Sequence, residues 1–237
     1  MENQGTRINK YLAECGVCSR RGADELIDKG AVTVDGKAAE RGMKIFPGSE
    51  VSVNGRVISG VDDKVYLAFN KPRGIVCTSE KKEENNVIDF LDYPKRITYS
   101  GRLDKDSQGL LILTNDGDLI DAMMRSRNDH EKEYTVTVDK TITDAILFQM
   151  SKGVHLEDLD VTTKKCKITR VTDNTFNIIL TQGLNRQIRR MCQAFGYRVR
   201  KLVRVRVMNV ELSDLPVGKY RNLTDTEVKS LKRSCGL

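Results

Sequence analysis

The chain has 237 residues, 39% of them hydrophobic and 31% charged. At ~150 residues per domain this allows one large core or two smaller ones, and no apolar run approaches the ~18–20 residues that would cross a bilayer. Lys and Arg number 40 against 33 Asp and Glu, a net charge of +7 that suits a polyanionic partner without naming it. The opening MENQGTRINK is polar, so no secretory signal is expected. The expected setting is cytoplasmic, which argues against structural disulfides among the six cysteines.

In TRINKYLAECG, Ile8 and Leu12 stand four apart on a helix face, and Gly16 is placed to end the helix in a left-handed cap. Ser19 is placed to cap a second helix, SRRGADELIDKG, with Ala23, Leu26 and Ile27 turned inward and Gly30 as its stop. AVTVDGKAA and VSVNGRVI follow. Each contains a dipeptide that favours a tight hairpin turn, Asp35-Gly36 and Asn54-Gly55. Cys15 and Cys18 in CGVC have zinc-ligand spacing, but a structural site wants four ligands, no second CxxC exists, and His130 and His155 are far away. Free thiols and no metal are expected. Arg7, Lys10, Arg20, Arg21, Lys29 and Arg41 gather in and between the two helices, either as a solvated face or as a surface for phosphates. VNGRVISGVDD, residues 53–63, reads as the end of this module and a short linker, so the expected domains are 1–60 and 61–237.

From Val65 a larger unit begins. VYLAFNKPRGIV reads as strand, turn, strand around Pro72 and Gly74. NVIDFLD is a short helix, and GDLIDAMMRS is another that starts near Asp116. EYTVTVD alternates as a strand, and TDAILFQMSKG is an amphipathic helix opened by Thr143. TKKCKITRV and TFNIILTQG are strands about an Asp173-Asn174 turn. Strands and helices mix without a βαβα repeat, which predicts an α+β protein: a small ααβ-type module followed by a domain with a mixed, largely antiparallel sheet flanked by helices. With no Gly-rich phosphate loop and no HExxH, neither a nucleotide cofactor nor a metal is expected.

Two stretches concentrate the chemistry. In GRLDKDSQGLLILTNDG, residues 101–117, the run Leu110 to Leu113 reads as a strand buried on both faces, and loops on the ends of such strands commonly hold functional groups. From spacing alone Asp104 is an Asx-turn residue, a partner of Arg102, or a functional carboxylate. In GLNRQIRRMCQAFGYRVRKLVRVRV, Ile188, Met191, Cys192 and Phe195 form a buried helix face, Arg186, Arg189 and Arg190 lie on another, and Gly196 stops the helix. Arg204 and Arg206 then alternate with Val203, Val205 and Val207 as in a half-buried strand. These arginines are expected to line a groove that accepts phosphates. Such a groove would keep a buried carboxylate ionised, with Asp104 the leading candidate.

TRINKYLAECGVCSRRGADELIDKGAVTVDGK resembles the alpha-L type of RNA-binding module first described in a small-subunit ribosomal protein, whose paired helices present arginines to structured RNA. NKPRG, SGRLDKDSQGLLILTNDG, KEYTVTV and GLNRQIRRM, in that order over nearly the whole chain, resemble pseudouridine synthases of the RsuA/RluB/RluE/RluF type. GLNRQIRRMC followed by KLVRVRVMNV is most similar to the RluF branch.

The resemblance implies that Asp104 is the catalytic residue of an enzyme that cuts the N1–C1′ bond of uridine, rotates the uracil and joins C5 to C1′, without cofactor or metal. By the same resemblance, Arg102 contacts RNA where the flipped base leaves the stack, Tyr134 stacks on the uracil, and Arg189 pairs with the catalytic aspartate. Arg7, Lys10, Arg20, Arg21, Lys29, Arg186, Arg190, Arg204 and Arg206 are the expected RNA contacts. Leu184 departs from the pattern, because related enzymes often carry Arg or Lys there. The implied partner is ribosomal RNA, most of all that of the large subunit or its assembly intermediates, with tRNA as a secondary substrate, no membrane, and a monomeric enzyme. The rival reading is a non-catalytic RNA-binding or ribosome-assembly protein. That reading gives no reason for Asp104, Tyr134 and Arg189 to coexist in their motifs.

Overall fold

In the computed structural model, which describes residues 5–58, 60–61, 63–125 and 129–237, the chain forms two compact units. The first runs through Val65 and takes in Tyr93–Ile97 and Asn115–Gly117; the second holds Tyr66–Asp92, Thr98–Thr114 and Asp118–Leu237. Ser59 and Asp62 of the expected linker, and Ser126 at the end of an expected helix, lie outside the described residues.

In the first unit, the helices Ile8–Glu14 and Arg20–Asp28 bury Ile8, Leu12, Ala23 and Ile27 against Val32, Val34, Val51 and Val53. The Ser19 hydroxyl accepts the Gly22 N–H at 2.9 Å, a cap worth ~1 kcal/mol. The strands Lys37–Ala38, Val32–Val34, Val51–Val53 and Arg56–Val57 follow one another across an antiparallel sheet. Both hairpin dipeptides take positive φ at each central residue, +50° and +77° at Asp35-Gly36 and +50° and +76° at Asn54-Gly55. That is the turn whose twist matches paired strands.

In the second unit, the described residues form a nine-stranded sheet whose main path runs Lys167–Thr172, Thr175–Leu180, Lys132–Val138, Val199–Val207, Gln108–Thr114, Tyr66–Lys71, Tyr220–Asn222. Every pair along it is antiparallel except Val199–Val207 with Gln108–Thr114, which is parallel. One core packs Val136, Phe176, Ile178 and Leu202 with Leu147 and Met150 of the helix Asp144–Ser151 and Ile188 and Met191 of the helix Gln187–Ala194. A second packs Ala68, Leu110, Ile112 and Val203 with Leu119 and Met123 of the helix Gly117–Met124 and Leu231 of the helix Asp225–Ser234. Thr143 caps its helix as expected, accepting the Ile146 N–H at 3.3 Å.

The strand expected after Pro72 does not form; only a single bridge joins Val76 to Asn86. The Lys71 ammonium draws in the carbonyls of Pro72 and Ile75, at 2.8 and 2.7 Å, and so takes them out of any ladder. Among the described residues no helix is long and apolar enough to cross a membrane.

Candidate active site

Leu110, Leu111, Ile112 and Leu113 are all fully buried, so the strand Gln108–Thr114 is anchored from both sides. Its register puts Gly109 opposite Lys71 on one neighbour and Arg204 on the other, and Arg204 in turn lies opposite Tyr134. Lys71, Gly109, Arg204 and Tyr134 therefore form one transverse row across the sheet. The turn that carries Asp104 leads directly into this row.

That turn is held at several points. The Ser107 N–H donates to the Asp104 carbonyl at 3.0 Å, and Gly74 N–H to the Lys105 carbonyl at 2.8 Å. Leu103 N–H meets Cys77 Sγ at 3.4 Å. Arg189 Nη2 donates to the Asp106 carbonyl at 3.1 Å and its Nη1 to Val199 at 3.3 Å. The Asp104 side chain is 35% exposed rather than buried as expected, and Arg186 Nη1 stands 4.0 Å from its Oδ2. The same nitrogen is 3.9 Å from Asp106 Oδ2.

The arginine within ion-pair distance of Asp104 is thus Arg186, whereas the resemblance implied Arg189, which binds the backbone of the same turn and feels the Asp104 charge. The helix begins at Gln187, and Arg186 is its N-cap in the left-handed region, φ +48° and ψ +34°. Leaving helical geometry points its side chain to the turn, while Arg189 fixes the backbone of the same turn. An ion pair this long and open to water adds ~0–1 kcal/mol of stability. Its effect is on where the carboxylate points.

Arg190, Arg204 and Arg206, three of the expected RNA contacts, are hydrogen-bonded internally, and Lys10 and Arg186 also stand within ion-pair distance of acids, Glu14 for the first and Asp104 and Asp106 for the second. Arg204 is 2% exposed, so the Val203–Val207 stretch is not a half-buried ribbon. Arg204 Nε donates to the Leu110 carbonyl at 2.7 Å and its Nη1 to Arg102 at 3.4 Å. Arg206 pairs with Glu133 at 3.0 Å and Glu131 at 2.9 Å. Arg190 pairs with Asp158 and donates to the Asn185 carbonyl. Intramolecular acids thus occupy two of the three. Arg7, Arg20, Arg21, Lys29 and Arg102 are exposed and Lys10 is half-buried. Tyr134 is half-buried, packed on the first core of the sheet. Leu184 packs there too.

A residue with no expected role completes the site. Lys71 is fully buried, and burial pushes its ammonium down to about 8, against the pull of Cys77, Asp104 and Asp106 and with a further push from Arg204. Its signals in the sequence are a charge closing the mostly apolar strand YLAFNK just before a proline, and its place in the NKPRG stretch that carries the resemblance.

The profile described as RNA pseudouridylate synthase matches residues 65–194, and that of the S4 domain matches residues 6–51. The chain belongs to the RNA pseudouridylate synthase family. It is 52% identical, over 98% of its length and 80% of the relative's, to the dual-specificity RNA pseudouridine synthase RluF of Salmonella typhi. It is 34% identical, over 95% of both chains, to the ribosomal large subunit pseudouridine synthase B of Bacillus subtilis (strain 168). Among solved structures, a pseudouridylate synthase crystal structure superposes with a TM-score of 0.70 at 28% identity, covering 95% of this chain and 99% of that one. The synthase is therefore an isomerase with an RNA-binding module ahead of its catalytic unit. The matched span of the synthase profile includes Lys71, Arg102, Asp104, Tyr134, Arg186 and Arg189 but ends before Arg204.

Proposed function

We propose that Asp104 carries the isomerisation, and that the substrate is uridine in large-subunit ribosomal RNA or its assembly intermediates, with tRNA as a secondary substrate. The observation that carries the assignment is the Asp104 carboxylate on a braced turn with Arg186 Nη1 4.0 Å away. An ionised carboxylate is the form needed to attack C1′ or to take a ribose proton. The N1–C1′ bond breaks, the uracil turns, C5 bonds to C1′, and the proton lost from C5 is balanced by one gained at N1. The uridine has to be flipped out of its stack to reach the carboxylate. Tyr134, on the same transverse row as Arg204, offers a ring for the flipped base to stack on.

The substrate reading is supported by a relative named for the ribosomal large subunit and by another named as dual-specificity. Arg7, Lys10, Arg20, Arg21 and Lys29 supply phosphate contacts from the S4 module, and Arg102 supplies one beside the target; such contacts give affinity and register more than sequence choice. The domains 1–60 and 61–237 divide the work between holding RNA and isomerising it.

Asp104→Asn tests the chemistry. Pseudouridine formation is expected to vanish while RNA affinity stays within a few-fold, and retained turnover would overturn the assignment. Mapping pseudouridines in ribosomal RNA from cells lacking the gene tests the substrate. Losses confined to small-subunit RNA would overturn that part.

A further inference from the structure

Arg204 keeps one hydrogen bond unmade. Its Nε and Nη1 bond to carbonyls, but Nη2 is buried with no partner. A buried donor left without an acceptor costs ~1–3 kcal/mol, and more when it is charged. Arg204 lines a narrow hollow together with Ser100, Gly101, Met123, Lys132 and Met208. Lys132 Nζ donates to the His130 carbonyl, at 3.2 Å. Among the described residues no carboxylate comes within ion-pair distance of Arg204 or Lys132. Burial, and after it the charge of Arg204, push the Lys132 amine down. Two cations thus share a hollow whose wall also includes Met124, His130 and Val207, with no carboxylate of the described residues paired to either, an arrangement that a folded protein tolerates poorly.

The size and place of the hollow narrow the choice of occupant. It admits something about as large as a water molecule, so a nucleobase does not fit, whereas a single oxygen does. Ser100 and Gly101 on its wall lead into Arg102 and Asp104, and Arg204 bonds to the Arg102 carbonyl. Whatever anion sits there is next to the turn where the target uridine would be held.

We propose that the hollow is an oxyanion subsite that takes one non-bridging oxygen of a phosphodiester flanking the target uridine, bound by Arg204 Nη2 and Lys132 Nζ. The phosphorus stays at the mouth and the oxygen enters. This rests on the reading that Asp104 isomerises a uridine within RNA. Charge-assisted bonds from two partly desolvated cations make the contact strong, and because it adjoins the turn it fixes the sugar relative to the carboxylate as well as adding affinity.

The test uses short RNAs containing the mapped target uridine, each with one neutral methylphosphonate in place of a flanking phosphodiester. For the wild-type enzyme one linkage is expected to lose about tenfold or more in kcat/KM, the worth of one charged hydrogen bond, and the others little. Lys132→Gln is expected to show that loss on unmodified RNA and to be indifferent to the methylphosphonate at that linkage, while Lys132→Arg recovers most of the rate. Losses that multiply at every linkage, or a wild-type enzyme insensitive at all of them, would overturn the subsite; the second outcome needs no variant to fold. Inorganic phosphate that raises the melting temperature of the wild type, with no linkage sensitive, would assign the hollow to free phosphate and overturn the RNA assignment. A wild-type enzyme that makes no pseudouridine in any of these RNAs, with Asp104→Asn indistinguishable from it, would instead defeat the reading beneath the proposal.

Discussion

Gly109 and Arg204 face each other across the parallel strand pair so closely that a Cβ on Gly109 would stand 2.3 Å from the Arg204 carbonyl oxygen and 2.6 Å from its amide nitrogen. Gly109 also has φ +115°, which side chains rarely adopt. Backbone contacts of this kind do not give way. Gly109→Ala is expected to prise the two strands apart, to lower stability by about 3 kcal/mol and to abolish turnover. Urea unfolding and a pseudouridine assay check this, and an unchanged midpoint would contradict it.

Arg186 and Arg189 should separate by phenotype. Arg186→Ala frees the Asp104 carboxylate and is expected to lower the single-turnover rate about tenfold to hundredfold, as a 1 Å misplacement can, with little change in melting temperature. Arg186→Gly relieves the left-handed backbone and is expected to stabilise the protein slightly while losing the same rate. Arg189→Ala removes donors from the Asp106 and Val199 carbonyls and is expected to cost about 2 kcal/mol of stability as well as rate. If Arg189→Ala alone lost the rate, Arg189 would be the partner of Asp104 after all.

Lys71 predicts a pH dependence of stability. Its ordinary value of 10.5 falls to about 8 in the folded chain, so between those values the unfolded chain binds more protons. Stability contributed by this group therefore rises with pH through that window, by about 2 kcal/mol from pH 7 to 9.5. Unfolding of wild type and Lys71→Met, compared at both pH values, isolates the effect. A pH-independent difference between the two would show that Lys71 is neutral or normally charged throughout.

The 61–237 fragment is expected to stay folded, because the core around Ile8, Leu12 and Val32 shares no residue with the two cores of the sheet. Its loss should fall on KM, with a shallower dependence of affinity on salt as phosphate contacts go. Circular dichroism and salt-dependent binding check both parts. A fragment that melts without cooperativity would show that the domain division is wrong.

Local rules account for what could be read from residues alone. Asp35-Gly36 and Asn54-Gly55 announce their turns because few other residues accept two positive φ values in succession, and Leu110 to Leu113 announce burial because nothing polar interrupts them. Arg204 was misread because Arg-Val-Arg-Val has the period of a half-exposed strand. Its burial depends on carbonyls of Leu110 and Arg102, roughly a hundred positions earlier in the chain. Arg186 was misread because a left-handed cap is ordinarily glycine or asparagine, so an arginine there looks like the first turn of a helix. The first error concerns a long-range contact and the second a local backbone conformation, and spacing rules encode neither.

The parallel pairing of Gln108–Thr114 with Val199–Val207 has a consequence for how the enzyme is born. Gln108 meets Val203 only after roughly 95 intervening residues have been synthesised and looped back, an entropic cost that grows slowly with length but must be met before the contact yields anything. The Asp104 turn hangs from that strand. During translation, the hairpins of the amino-terminal unit can close while the ribosome is still making the sheet, whereas the strand that carries the Asp104 turn must wait for the last third of the chain. A nascent enzyme would therefore hold RNA before it could act on it.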